Sequence, residues 1–258
     1  MTLSKARIRF IHSMERKKVR DEERLFLAEG PKLVGELLPH FDCRLLAGTA
    51  AYFGEHPDVT DNARIEEVAE ITREELERAS LLKTPQQVVA LFGQPCHELS
   101  ADYPLQGLCL ALDDVQDPGN LGTIVRLADW FGIAHIVCSR GTADVYNPKT
   151  VQATMGALAR VRVHYTDLSG YIDSLAKEVD VFGTCLDGEN MYQLSLPGNG
   201  LIVMGNEGNG IGREIEKRVT RKLLIPSYPR GRATSESLNV ATATAVVCAE
   251  FRRQAAWR

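Results

Sequence analysis

Short apolar runs recur along the second half of the chain, and each is long enough for one strand. They are Leu108–Leu112, Ala134–Cys138, Val181–Thr184, Leu201–Met204 and Leu223–Ile225. Stretches with helical periodicity separate most of them, namely Leu121–Phe131, Pro148–Leu158, Leu168–Glu178 and Gly212–Val219, and a helix rich in Ala and Val is expected over Ser237–Arg253. Strands that are apolar throughout and alternate with helices indicate a parallel sheet covered on both faces. The pattern therefore predicts an α/β domain over residues 106–258.

The first part of the chain predicts a smaller α/β unit. Residues 4–29 are expected to be helical, because apolar residues recur there on one stripe among good helix formers. Thr72, with Glu75 three residues later, has the pattern of a capping box at the start of a helix. A short amphipathic helix is expected over Lys32–Leu38 and a strand over Val88–Phe92, with short apolar segments at Arg44–Leu46 and Ile65–Val68 between them.

Composition agrees with two globular domains. The sequence has 258 residues, of which 44% are apolar and 25% charged. Residues 94–105 have the composition of a linker, so the predicted domains are residues 1–93 and residues 106–258. No apolar run approaches the roughly 20 residues that span a bilayer, and the N-terminus lacks the apolar segment of a secretory signal. We therefore expect a cytoplasmic protein with no membrane contact.

The net charge of −4 excludes a protein that is basic all over, but basic residues still cluster in two segments. Lys17 and Lys18 in the first cluster, and Arg230 and Arg232 in the second, are the candidate contacts to nucleic-acid phosphates. Acidic residues alternate with the first cluster, so charge alone leaves an ordinary solvated helix as the alternative. The six cysteines and six histidines have no metal-ligand spacing, and no metal is expected.

Three unusual loops follow predicted strands, and ligands of parallel α/β sheets bind at the carboxyl ends of strands. The first loop leads into a helix and reads Asn120-x-Gly122-x-x-x-Arg126, with Asn120 expected to cap that helix. The second reads Gly205-x-Glu207-Gly208-x-Gly210. The third runs from Ile225-Pro226 to Ser237-Leu238-Asn239-Val240 and carries Arg230 and Arg232.

The glycine-rich second loop does not fit the known nucleotide-binding patterns. A dinucleotide fingerprint that starts at Gly208 requires glycine where Arg213 stands, and one that starts at Gly205 requires glycine where Glu207 stands. A phosphate-binding loop requires a lysine after its last glycine, and the loop has none. Because Glu207 would also repel a pyrophosphate, the loop suits a ligand that is not strongly anionic.

The three loops together resemble the three motifs of the SpoU/TrmH-type RNA 2′-O-ribose methyltransferases of the SPOUT superfamily, and residues 1–93 are similar to the L30e-like substrate-binding domain that often precedes them. The resemblance implies a trefoil-knotted C-terminal domain, a homodimer, and S-adenosylmethionine as cofactor. The implied substrate is a ribose 2′-hydroxyl in RNA, with ribosomal RNA favoured over transfer RNA.

The resemblance also implies roles for individual residues. Arg126 would orient the 2′-hydroxyl or a neighbouring phosphate, since a guanidinium is too weak a base to deprotonate it. The other residues implied at the catalytic site are Asn120, Glu207, Ser237 and Asn239. Those implied at the cofactor are Thr184, Gly205, Ile225 and Leu238. The third loop is longer than the usual form of that motif, which fits either a tolerated insertion or an additional RNA contact.

Three rival hypotheses remain open at the level of sequence. A catalytically silent RNA-binding homologue would have the same fold, but every polar residue that the chemistry requires is present here. A nucleotide-dependent enzyme is disfavoured by the failed glycine spacings. A base-modifying enzyme of the same superfamily is disfavoured by the pairing of Asn120 with Arg126.

Overall fold

Helices and strands alternate along most of the chain. The computed structural model describes residues 3–229, 235 and 237–256. In chain order the helices and strands are α1 (Lys5–Ser13), α2 (Lys17–Glu23), β1 (Leu25–Glu29), α3 (Pro31–Leu37), β2 (Cys43–Gly48), α4 (Ala50–Glu55), β3 (Val68–Glu70), α5 (Arg73–Ala79), β4 (Val88–Gly93), α6 (Tyr103–Gln106), β5 (Leu108–Leu112), α7 (Pro118–Trp130), β6 (His135–Ser139), α8 (Pro148–Thr154), β7 (Arg162–Thr166), α9 (Leu168–Asp173), β8 (Val181–Asn190), β9 (Gly200–Met204), α10 (Arg213–Glu216), β10 (Arg221–Leu224) and α11 (Val240–Ala256).

The chain divides into two units, one of which is discontinuous. Unit 1 contains Met1–Cys96 together with Asp144–Ala159, and unit 2 contains His97–Ala143 together with Arg160–Arg258. The sequence predicts residues 144–159 to be part of the second domain, residues 106–258. These residues group with unit 1 because α8 packs on β1.

Unit 1 has a four-stranded mixed sheet in the order β1-β4-β2-β3. The prediction of one helix over residues 4–29 is wrong at its end, where Leu25–Glu29 forms β1 and pairs antiparallel with β4. Arg24 takes a left-handed conformation that ends α2, and all five residues of β1 are buried. Burial on both faces favours a strand over an amphipathic helix. The capping box is confirmed, since Thr72 and Glu75 exchange side-chain-to-backbone hydrogen bonds.

Unit 2 has a six-stranded sheet in the order β10-β8-β9-β5-β6-β7, and every pair in it is parallel. The predicted parallel α/β domain is therefore confirmed. Strand β7 was missed because Arg162–Thr166 alternates polar and apolar residues at the edge of the sheet. Within the described residues, no helix has the length and apolar character needed to cross a bilayer.

Candidate active site at the carboxyl edge of the parallel sheet

The sheet order of unit 2 brings the first two loops together. Strands β5 and β9 are neighbours, with Leu112 level with Met204, so the loops that follow them start side by side. The Asp113 amide donates to the Met204 carbonyl at 2.9 Å, and the Gly212 amide donates to Asp113 Oδ2 at 2.8 Å. The second loop is thus hydrogen-bonded to the first loop both where the second loop starts, at Met204, and where it ends, at Gly212.

The glycine-rich loop closes tightly on its own backbone. Asn206 and Gly210 exchange backbone hydrogen bonds of 2.9 and 3.0 Å. A Cβ atom on Gly205 would lie 2.2 Å from the carbonyl carbon of Gly210 and 2.3 Å from the amide nitrogen of Ile211. No side chain fits at such distances, so position 205 requires glycine.

Asn206, which the sequence analysis did not single out, shapes this loop. Its Nδ2 donates to the Asp114 carbonyl at 2.7 Å, and its Oδ1 accepts from the amides of Gly208 and Asn209 at 2.9 and 3.0 Å. An asparagine ahead of glycines is a common turn-forming pattern, which is the feature that identifies it in the sequence.

Glu207 receives hydrogen bonds from the first loop. Asn120 Nδ2 donates to Glu207 Oε1 at 3.0 Å, and the amides of Gln116 and Asp117 each donate to the carboxylate at 3.3 Å. Partial burial alone would raise the pKa of Glu207, but these donors together hold that pKa below its ordinary value. Glu207 is therefore a fixed anion at neutral pH.

Asn120 connects Glu207 to the third loop. Asn239 Nδ2 donates to Asn120 Oδ1 at 2.9 Å. Asn239 Oδ1 accepts from the amides of Ala241 and Thr242, at 3.0 and 3.2 Å, and so caps the N-terminus of α11. The predicted N-cap of α7 is corrected, because the side chain that accepts the Asn120 amide belongs to Asp117. Asn120 instead lies in the first turn of α7.

Arg126 and Ser237 are not hydrogen-bonded to this network. Arg126 lies on α7 six residues after Asn120, which places it roughly 120° around the helix from Asn120. Both Arg126 and Ser237 are exposed. Neither side chain has a hydrogen bond or ion pair within the part of the chain that the structure describes. The guanidinium of Arg126 is therefore available to an external ligand.

The four residues expected at the cofactor differ in burial. Gly205 is buried, Thr184 and Ile225 are half-buried, and the Leu238 side chain is exposed. Thr184 Oγ1 donates to the Val203 carbonyl at 3.3 Å, one residue before the last residue of β9. Leu238 immediately precedes Asn239, and Ile225 immediately follows β10.

Of the four residues expected to contact RNA, the structure describes Lys17 and Lys18. Arg230 and Arg232 lie outside the residues that the structure describes. Lys17 and Lys18 lie on α2 in unit 1, where they form ion pairs with Asp21 at 2.8 Å and with Glu22 at 3.8 Å.

One group of side chains in unit 2 has the composition of a metal site. Cys185, Asp187 and Glu216 offer ligand atoms that lie within 4.8 Å of one another. The Lys222 ammonium donates to Asp187 at 2.7 Å and to Glu216 at 2.6 Å, and it neutralises both carboxylates. Because Lys222 already pairs with both carboxylates, we assign no metal ion to this group of side chains.

Two family models match the chain. Residues 107–249 match the SpoU rRNA methylase family, and residues 5–90 match the MRM3-like substrate-binding domain.

Some relatives and solved structures match the chain over nearly its full length. The chain is 33% identical to 23S rRNA (guanosine(2553)-2′-O)-methyltransferase RlmP of Bacillus subtilis (strain 168), covering 92% of each chain. Among solved structures, a TrmH-family protein of Porphyromonas gingivalis is 42% identical with a TM-score of 0.86, covering 98% of this chain and 99% of that one. An AdoMet-bound rRNA methyltransferase of Sinorhizobium meliloti is 29% identical with a TM-score of 0.86, covering 98% and 97%.

Proposed function

The chain belongs to the SpoU rRNA methylase family, and from that premise we propose that it methylates a ribose 2′-hydroxyl of ribosomal RNA. It is an S-adenosylmethionine-dependent RNA methyltransferase. The observation that carries the proposal is the hydrogen-bonded series Glu207–Asn120–Asn239, which links the three motif loops at one edge of the sheet. The full-length relative named above modifies 23S rRNA, which favours ribosomal RNA over transfer RNA.

The residues at this edge fit S-adenosylmethionine. Gly205 lets the second loop fold tightly onto Gly210, because any side chain at position 205 would collide with that backbone. A tight glycine turn of this kind presents main-chain groups to a ligand. The cofactor carries a sulfonium charge, and the fixed Glu207 anion suits it better than it would suit a phosphate. Thr184 of β8 supplies a hydroxyl, and Ile225 and Leu238 of the third loop supply two apolar side chains. When bound, the cofactor supplies a methyl group on a positively charged sulfur.

Arg126 acts on the RNA in this proposal. Its guanidinium stays protonated at neutral pH and donates hydrogen bonds only, so it orients the 2′-hydroxyl or the adjacent phosphate. Asn120 and Glu207 order the start of α7, which carries Arg126, while Asn239 fixes the start of α11 next to Ser237. Correct alignment of the hydroxyl oxygen is the main contribution the protein makes to methyl transfer.

Three further features belong to the same proposal. The C-terminal part of unit 2 is threaded as a trefoil knot, the protein is a homodimer, and it works in the cytoplasm. The match of residues 107–249 to the SpoU family supports the threading. Residues 1–93 form an L30e-like RNA-binding domain, and Arg230 and Arg232 contact RNA.

Calorimetric titration with S-adenosylmethionine tests the proposal first, with NAD and ATP as controls. Selective binding of S-adenosylmethionine is expected. Arg126→Ala should then keep that binding and lose methyl transfer to ribosomal RNA by at least about a hundredfold, measured with methyl-labelled cofactor. Absence of cofactor binding would favour a silent RNA-binding homologue, and retained transfer in Arg126→Ala would refute the role given to Arg126.

A further inference from the structure

A groove in unit 1, which we call the basic groove, lies along helices α1 and α5. Its volume is about 550 Å³. The lining includes Lys5, Ile8, Arg9, His12, Arg16 and Arg78. Four of these residues carry a positive charge at neutral pH, and all four are exposed.

The spacing of the basic residues puts them on one side of α1. Lys5, Arg9 and His12 follow one another at intervals of four and three residues, which is the spacing of a single helix face. Lys5 and Arg9 are about 6 Å apart along the helix axis. Arg16 follows four residues after His12, in the turn that precedes α2.

Internal contacts hold the basic groove in this form. His12 Nε2 is hydrogen-bonded to the carbonyl of Arg78, which joins α1 to α5. The buried Arg20 side chain donates to the carbonyls of Met14 and Glu15, at 2.6 and 2.8 Å, and so fixes the turn that carries Arg16. The groove is therefore formed before any ligand binds.

The charges of the basic groove are mostly not compensated by the protein. Among the described residues, Lys5, Arg9 and Arg16 form no ion pair, and the Arg78 guanidinium interacts electrostatically only with Glu74 on its own helix. Lys17 and Lys18 nearby are each paired with a carboxylate four residues on. An excess of unpaired cations on one surface is the electrostatic footprint of a polyanion site.

We propose that the basic groove binds the phosphodiester backbone of the substrate RNA, through Lys5, Arg9, Arg16 and Arg78. This inference rests on the proposed function, since it assigns the surface that holds the RNA for methylation. All four residues lie within the segment that matches a substrate-binding domain, residues 5–90. That match favours RNA over an anionic membrane. Phosphate contacts of this kind add affinity without reading sequence.

Filter binding of the full-length protein to deproteinised 23S rRNA tests the assignment, across a range of salt concentrations. We expect Arg9→Ala/Arg16→Ala to bind at least about fivefold more weakly, and to reduce the slope of log K against log salt by roughly 1.4 to 1.8, since each lost phosphate contact contributes about 0.7 to 0.9. Arg9→Lys/Arg16→Lys keeps both charges and should retain most of the affinity.

Two charge-matched double variants serve as comparisons. Arg44→Ala/Arg64→Ala removes two exposed arginines of unit 1 that are ion-paired to Glu66 and Asp42, and it should leave RNA affinity unchanged. Lys17→Ala/Lys18→Ala tests the basic residues expected from the sequence. A larger loss in this variant than in Arg9→Ala/Arg16→Ala would overturn the proposal.

The remaining outcomes separate this inference from the proposed function. If the wild-type protein transfers methyl groups but Arg9→Ala/Arg16→Ala binds RNA normally, the groove assignment fails alone. If Arg9→Ala/Arg16→Ala binds RNA more weakly as expected but the wild-type protein methylates no RNA, the groove assignment stands and the proposed function fails. Loss of binding to phosphatidylglycerol vesicles with unchanged RNA binding would assign the groove to a membrane and overturn the proposal.

Discussion

At the scale of single residues, the carboxylate of Glu207 shows how a charged group is held by neutral donors, with no cationic partner among the described residues. It accepts hydrogen bonds from the Asn120 side chain and from the amides of Gln116 and Asp117. Neutral donors localise a charge without cancelling it, so the anion remains available to a positively charged cofactor. An arginine in the place of Asn120 would give a stronger bond to Glu207 but would remove that availability.

The histidines of unit 2 show the opposite case, in which burial keeps a group neutral. His164 is buried beside His135, with His135 Nδ1 at 3.3 Å from His164 Nε2, and Tyr103 stacks on His135. Desolvation, with smaller contributions from His135, His97 and Arg162, lowers the pKa of His164 to about 4. The pKa values of His135 and His97 are also lowered, mainly by burial.

This cluster predicts a specific dependence of stability on pH. Between pH 6.5 and 4 the unfolded chain binds a proton at position 164 that the folded chain does not, so the free energy of unfolding falls as pH falls through that window. The lowered pKa of His164 alone corresponds to about 3 kcal/mol over the whole window.

Urea unfolding at pH 7 and pH 5 measures the effect. His164→Gln cannot ionise and should have a smaller difference in unfolding free energy between the two values than the wild type. His40→Gln, at an exposed histidine of unit 1, should keep the wild-type difference. An unchanged pH dependence in His164→Gln would show that the buried histidine does not control it.

At the scale of elements, two glycines of the loop after β9 differ in whether a side chain would fit at their position. A Cβ on Gly205 would lie within 2.5 Å of three backbone atoms of Gly210 and Ile211, whereas a Cβ on Gly208 would meet only Asn206 Oδ1 at 3.6 Å. Backbone atoms cannot move aside as a flexible side chain can. The glycines of one motif are therefore not equivalent.

Gly205→Ala and Gly208→Ala form a matched pair that tests this difference. Gly205→Ala should displace the loop, destabilise the protein by about 1–3 kcal/mol through overpacking, and abolish S-adenosylmethionine binding. Gly208→Ala should bind the cofactor within about twofold of the wild type. Thermal unfolding and calorimetric titration provide the two measurements. Equal cofactor affinities in the two variants would contradict the close approach of the chain at Gly205.

The elements also show what the sequence can and cannot predict. The inner strands of unit 2 were predictable because strands buried on both faces are continuous apolar runs, as in Leu108–Leu112. Strand β7 was not, because an edge strand with polar residues lacks that pattern. Strand β1 was assigned to a helix, since its burial depends on pairing with β4, more than sixty residues away. Local periodicity contains no information about such pairing.

The same limit applies to the candidate site. The loops are identifiable from strand order and glycine spacing, and the resemblance of their motifs implies Asn120, Glu207 and Asn239 as site residues. The hydrogen bond from Asn239 to Asn120 joins residues 119 positions apart, and the amides of Gln116 and Asp117 that bind Glu207 have no side-chain signature. Contacts made by backbone groups become visible only in the folded chain.

At the scale of the whole molecule, unit 1 depends on a segment that is distant in sequence. Arg20 is 1% exposed, and its guanidinium pairs with Asp144, which is 12% exposed, at 2.5 Å. Two residues further on, the ring of Tyr146 stacks on Phe26 with centroids 5.0 Å apart. The buried charge of Arg20 thus has its counter-ion outside the segment 1–96, so a boundary near residue 93 does not enclose all the residues that unit 1 needs.

Replacement of Asp144 by asparagine tests this dependence. Asp144→Asn keeps the shape of the side chain and an oxygen for the Tyr146 amide, which donates to Asp144 Oδ1 at 3.0 Å, but it removes the negative charge. Because one partner of a buried ion pair is left uncompensated, we expect a loss of about 3 kcal/mol in the free energy of unfolding. The two carbonyl acceptors of Arg20 keep the loss at the lower end of the usual range.

Asp42→Asn is the matched control, because it neutralises an aspartate in an exposed ion pair with Arg64, with side chains 81% and 50% exposed. Its cost should stay below about 1 kcal/mol. Urea unfolding of the full chain, followed by circular dichroism, gives both values. Equal losses in the two variants would mean that the Arg20 charge is stabilised by the carbonyls of Met14 and Glu15 without Asp144. A larger loss in Asp144→Asn would show that Asp144 is needed to stabilise the buried charge of Arg20, the same guanidinium that donates to the carbonyls of Met14 and Glu15.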